Sequence, residues 1–197
     1  MQLAANSFTL KLGDKSLDLK PSLRAAVFLN QKYAGFQNLS RYIAEGSLTT
    51  STDLITWTVD DKQAWADYAL TDTRSMMPDV MAARDQLLDF VPVLTGSNTK
   101  SDQPQTGKPI SFDEYFTRLF KIGTGWLGWS PDVTWNATPS EILAAFEGRQ
   151  EMLTALFGSK SEEQSADEQS ADMADVTLDS MRDDLNAIGD MTNHVMP

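Results

Sequence analysis

Cysteine is missing from this 197-residue chain, and histidine occurs once, as His194. Without cysteine there is no disulfide framework, no thiolate nucleophile and no cysteine-based metal site. Most acid–base and metal chemistry near neutral pH relies on histidine or cysteine, so this scarcity argues against an enzyme and against a resident metal or other cofactor. Basic residues are also few: 16 Lys and Arg stand against 28 Asp and Glu, for a formal charge of −12. Such a balance disfavours nucleic-acid binding, which needs cations to neutralise phosphates, and it disfavours anionic membrane surfaces. No apolar run approaches the roughly 20 residues needed to span a bilayer. The opening Met1-Gln-Leu-Ala-Ala-Asn-Ser7 has neither a basic n-region nor an apolar stretch of signal-peptide length, so a cytosolic location is expected.

What is present is a folded-protein composition, with 41% hydrophobic and 22% charged residues. The charge is unevenly spread. Residues 159–197 carry ten acids and two bases, or −8, and include a direct duplication, Glu163-Gln-Ser-Ala-Asp167 followed by Glu168-Gln-Ser-Ala-Asp172. This composition cannot bury enough apolar surface to offset its ordering entropy, so 159–197 is expected to be largely disordered. Within it, Val176, Leu178, Met181, Leu185, Ile188 and Met191 follow helical steps, which predicts a short amphipathic helix over 176–191. The acidic tail is either a solubilising appendage or a tethered arm that contacts a basic or apolar partner. Residues 95–109 are rich in Gly, Ser, Asn, Thr and Pro and read as a linker. The expected organisation is therefore an N-terminal domain over 1–94, the linker, a small helical domain over 110–158, and the tail.

Local patterns predict a mainly α fold (α+β) that begins with a β-hairpin. Phe8, Leu10 and Leu12 alternate, as do Leu17 and Leu19, around a Gly13-Asp14-Lys15 turn. After Pro21-Ser22 the spacing becomes helical: Leu23, Ala26, Val27 and Tyr33, with Gly35 as the stop, then Leu39, Tyr42 and Ile43 closed by Gly46. Leu54, Ile55, Trp57 and Val59 fit either a helix or a strand. Trp65, Tyr68 and Ala69 suggest another helix. A further helix is predicted over 78–91, with Pro78 in its first turn.

The segment from 110 to 158 has the clearest grammar, with three helices predicted. Ser111-Phe-Asp-Glu114 is a capping box flanked by Ile110 and Tyr115 at staple positions. Ser130-Pro131 reads as a cap followed by proline at the first helical position. Thr138-Pro139-Ser140-Glu141 repeats that logic and opens a helix carrying Ile142, Phe146, Leu153 and Phe157, with Gly158 as its stop. A three-helix unit of this size is marginal in isolation.

Several motifs have plain structural readings. Gly123-Thr-Gly125-Trp-Leu-Gly128 matches GxGxxG by letter, but a capped helix precedes it rather than a strand, so a turn between helices is expected. Asp60-Asp61 and Asp183-Asp184 are neighbours that diverge on a helix. No nucleophile–base pair stands out. Trp126, Trp129 and Trp135 crowd into ten residues. They form either the shared core of a small bundle or an aromatic surface that grips a partner; a split, with Trp135 buried and Trp126 or Trp129 at the rim, is a third arrangement.

Two stretches resemble a known family. Leu17-Asp-Leu19-Lys-Pro-Ser-Leu23-Arg-Ala25-Ala26, Gly35-Phe-Gln-Asn-Leu39-Ser-Arg41-Tyr-Ile43-Ala-Glu45-Gly46 and Thr52-Asp53-Leu54-Ile55 are similar to a small tail protein of long-tailed phages and gene transfer agents. Gly125-Trp126-Leu127-Gly128-Trp129-Ser130-Pro131-Asp132-Val133-Thr134-Trp135-Asn136-Ala137-Thr138-Pro139-Ser140-Glu141-Ile142 resembles the companion short domain of phage tail assembly chaperones. The shared order there is a glycine-rich turn, Ser-Pro, an aromatic residue and Thr-Pro-x-Glu, with Ile142 standing where leucine is usual. The resemblance implies a non-enzymatic assembly factor of the host cytoplasm. Such a factor binds the tape measure protein, keeps it soluble until tail tube protein polymerises around it, and self-associates into a homo-oligomer. With that family in view, Trp126, Leu127, Trp129, Trp135 and Phe146 are the candidate partner-binding residues. Two other readings compete: a structural tail or neck protein retained in the virion, and an acidic DNA-mimic inhibitor. The second needs carboxylates fixed on a rigid surface, whereas −8 of the charge lies in the tail.

Overall fold

The computed structural model describes residues 8–71, 73–96 and 111–157. The expected helix at 176–191, most of the linker, Ile110 and Gly158 lie outside the described residues. The architecture is mainly α, with a two-stranded antiparallel hairpin followed by helices.

Strands β1 (Phe8–Leu12) and β2 (Lys15–Leu19) pair with Leu10 opposite Leu17 and Phe8 opposite Leu19. Gly13 takes φ +55°, a left-handed conformation that lets the two-residue turn follow the strand twist. Alternation sends Leu10, Leu12, Leu17 and Leu19 into the core, while Thr9 and Asp18 hydrogen-bond at 2.8 Å on the outer face. A lone hairpin is marginal in water, so its stability comes from the helices under its leucine face.

Helices α1 (Leu23–Tyr33), α2 (Phe36–Ala44) and α3 (Leu48–Thr58) follow. Ser22 Oγ accepts from the Ala25 amide at 3.2 Å and starts α1. The helix ends at Ala34 (φ 53°), one residue before the expected Gly35, which instead opens α2 at φ 116°. The stretch 54–59, left open between helix and strand, is both. Leu54–Thr58 close α3, and Val59 is extended and bridges Leu19 of β2. Helix α4 (Lys62–Thr71) buries Trp65 and Tyr68; the Trp65 indole donates to Thr56 Oγ1 at 2.9 Å.

The single helix expected over 78–91 is corrected to two. Helix α5 (Thr73–Ala82) holds Pro78 in its interior, and α6 (Arg84–Leu94) starts after a turn at Ala83, where ψ is 3°. The apolar stripe Val80, Leu87 and Val91 continues across the turn, and for that reason the period alone did not reveal it. Proline lacks the amide that would bond one turn back, so α5 tolerates it at the cost of one backbone hydrogen bond.

Helices α7 (Phe112–Lys121), α8 (Pro131–Asn136) and α9 (Pro139–Phe157) complete the described chain. They do not stand alone. Phe36 meets Phe112 edge-on at 4.9 Å and Phe116 at 6.1 Å. Asn30 Nδ2 donates to Asp113 at 3.0 Å, Tyr115 Oη donates to the Thr95 carbonyl at 3.1 Å, and the Leu23 amide donates to the Ala137 carbonyl at 2.8 Å. Tyr115, Leu119, Ile122, Ile142 and Phe146 belong to the same buried cluster as Leu10, Leu29 and Leu54. This shared burial supplies the stability that a unit of about fifty residues lacks by itself.

Candidate functional site

The site is built around the turn between α7 and α8. The Ser111 cap is formed, with its hydroxyl accepting from the Glu114 amide at 3.2 Å; the Glu114 carboxylate turns to Arg118 at 3.6 Å. At its C-terminal end α7 widens into a π-helical turn over Ile122–Trp126. The Leu127 amide donates five residues back to Ile122, and the Trp129 amide reaches Gly123, both at 2.9 Å. Gly128 then takes φ +71° and reverses the chain into the Ser130 cap of α8. The glycines thus lie in a π-helical turn and reversal that follow helix α7 directly, as the capped helix before them led one to expect, and not a strand.

Gly123 is required by a close approach. A Cβ there would lie 2.5 Å from Thr134 Cγ2, and Thr134 is fully buried in α8. The glycine lets α8 fold back against the turn, which fixes the tryptophans on both sides. Trp126 meets Phe146 of α9 edge-on at 5.6 Å, and Trp135 packs on Phe120 of α7 at 4.7 Å. Trp126, Leu127, Trp129 and Trp135 are all half-buried, each with one side on the core and the other facing solvent. Phe146 has no exposed surface and supports Trp126 from below.

Helix α9 begins with a complete capping box. The Thr138 hydroxyl accepts from the Glu141 amide at 3.1 Å, and the Glu141 carboxylate accepts from the Thr138 amide at 2.7 Å. Its first half is buried through Ile142 and Phe146; its second half is not. Phe157, which the sequence places on the same stripe as Phe146, is 79% exposed, and Leu156 and Met152 are exposed beside it. Val133 of α8 is exposed as well. Sequence reasoning missed Val133, Met152 and Leu156 because it scored faces, not whether anything covers them.

Residues 114–158 match the family model for phage tail assembly chaperone protein, TAC. The match runs from the first turn of α7 through the exposed end of α9 and supports the resemblance read from Gly125–Ile142. The match supports a role in tail assembly. No curated protein and no solved structure matches the chain. The distinctive side chains of the matched segment are apolar and aromatic. Among the described residues, no group of acids or histidine is placed to hold a metal ion, and no helix is long and apolar enough to cross a membrane.

Proposed function

We propose that this chain is a non-enzymatic tail assembly chaperone that binds the tape measure protein and holds it soluble in the host cytoplasm until tail tube protein assembles around it. One observation carries the reading: within the segment that matches the chaperone family, Val133, Met152, Leu156 and Phe157 are exposed beside three half-buried indoles, while a second exposed set, Tyr42, Leu70, Met77 and Met81, lies outside it. The half-buried indoles of Trp126 and Trp129, with Leu127 between them, suit an amphipathic helix, because they offer apolar area with little side-chain entropy left to lose. The formal charge of −12 would keep a chaperone-coated complex from associating further. Tail tube protein is the second partner in this reading, and the chain works as a homo-oligomer.

The test is co-expression of the full chain with its tape measure protein, followed by pull-down. Trp126→Ala/Trp129→Ala removes two anchors, and Leu156→Asp/Phe157→Asp charges the end of α9. Truncating a hot-spot tryptophan costs about 2 kcal/mol or more, so recovery of soluble tape measure protein is expected to fall roughly 30-fold or further. The α9 variant changes only exposed side chains, so its circular dichroism and melting temperature should match the wild type. Undiminished recovery with both folded variants overturns the assignment.

A further inference from the structure

Away from the tryptophan turn, a groove of about 270 Å³ opens between the start of α1, the end of α3 and the end of α8. Its lining is unusual for so acidic a chain: Lys20, Arg24 and Lys62 surround it, with Asp60 the one carboxylate among them. Trp57 forms an apolar wall, held in place by stacking on Phe28 at 3.8 Å. Arg24 is shared with Asp132 at 3.3 Å across an exposed pair, whereas Lys20 and Lys62 have no ion-pair partner among the described residues. The groove is smaller than the roughly 300–1,000 Å³ of pockets that enclose a drug-sized ligand, so it suits one or two side chains of a peptide laid across it.

We propose that the groove is the docking site of the chain's own duplicated acidic pentapeptide, and that the second copy, Glu168-Gln-Ser-Ala-Asp172, is the occupant. Charge complementarity is the first argument. Residues 159–197 carry −8, and the duplication concentrates Glu163, Asp167, Glu168 and Asp172 in ten residues. Reach is the second. Asn136 lines the groove immediately before the α9 cap, so the groove lies at the beginning of α9. That helix is 19 residues long and carries the chain about 28 Å away before the tail begins. A straight return needs at least about eight fully extended residues. Glu163 lies six residues beyond Phe157 and falls short, so the first copy reaches only by its last residue, Asp167, ten beyond; the whole second copy, from Glu168 at eleven, reaches with slack. The duplication thus adds a second copy of the acidic sequence at the length where it spans the gap. Binding tape measure protein plays no part in this argument, and the two assignments stand or fall separately.

Zero-length carbodiimide crosslinking of the full chain, read by mass spectrometry, tests the proposal. Crosslinks from Lys20 or Lys62 to Glu168 and Asp172 are expected, with those to Glu163 near zero, because a tether that cannot span two sites gives almost no effective concentration. They should disappear at about 1 M salt, where screening extends over only about 3 Å. Arg24→Gln removes a groove cation but leaves every crosslinked amine and carboxylate in place, so it should weaken the crosslinks through loss of docking alone. Tail crosslinks spread evenly over Lys11, Lys15, Lys32 and Lys121 would overturn the proposal. So would crosslinks found only between copies when isotopically light and heavy chains are mixed.

Discussion

Gly123 and Gly125 stand two residues apart in one π-helical turn, and the structure assigns opposite signs to the same substitution at each. Alanine at 123 places its Cβ 2.5 Å from Thr134 Cγ2 and 2.8 Å from Thr134 Oγ1. Thr134 is fully buried and its hydroxyl is committed to the Ser130 carbonyl at 3.1 Å, so it cannot swing aside. Either α8 lifts or the turn distorts, and overpacking of this kind costs about 1–3 kcal/mol. A Cβ at Gly125 would meet no atom of another element within 4 Å and φ is not positive, so alanine there reduces the freedom of the unfolded chain and gains about 0.4–1 kcal/mol. For a protein of this length 1 kcal/mol moves the melting temperature by about 2–4 °C. Thermal unfolding followed by circular dichroism should therefore show Gly123→Ala melting several degrees below wild type and Gly125→Ala level or slightly above. Thr134→Ala removes both nearest atoms, leaving the threonine Cβ at 3.2 Å. The Gly123→Ala/Thr134→Ala pair should then be non-additive, recovering part of the loss. Equal melting temperatures for the two glycine variants would refute the reasoning, since no packing of α8 against the turn would then exist.

Phe146→Ala should cost about 3–5 kcal/mol in denaturant unfolding, as a fully buried aromatic residue, and should weaken partner binding by unseating Trp126 rather than by removing a contact. Thr138→Ala breaks the capping box of α9 and should cost about 1 kcal/mol by the same assay. Tyr33 donates to Asp53 at 2.5 Å; burial first, then this hydrogen bond, pushes its hydroxyl from 10.0 up to about 12. Because the folded pKa is the higher one, the stabilisation is complete below pH 10 and is lost as pH rises through about 12. Tyr33→Phe should flatten that alkaline loss in pH-dependent melting, and an unchanged profile would count against it.

Local chemistry was written plainly in the chain. The hairpin follows from leucine alternation around Gly13, and the starts of α7, α8 and α9 follow from Ser111, Ser130 and Thr138, because caps are satisfied by atoms within three residues. The turn at Ala83 was invisible because the apolar stripe runs through it unbroken. Phe146 and Phe157 make the limit clearest. They are eleven residues apart, about 20° apart around α9, so periodicity gives them one and the same face. One is sealed beneath Trp126 and the other is 79% exposed. A helical period records which side of a helix is apolar; only the arrangement of neighbouring elements decides where along its length that side is covered. In this chain that decision separates the core from an apolar surface left open to solvent.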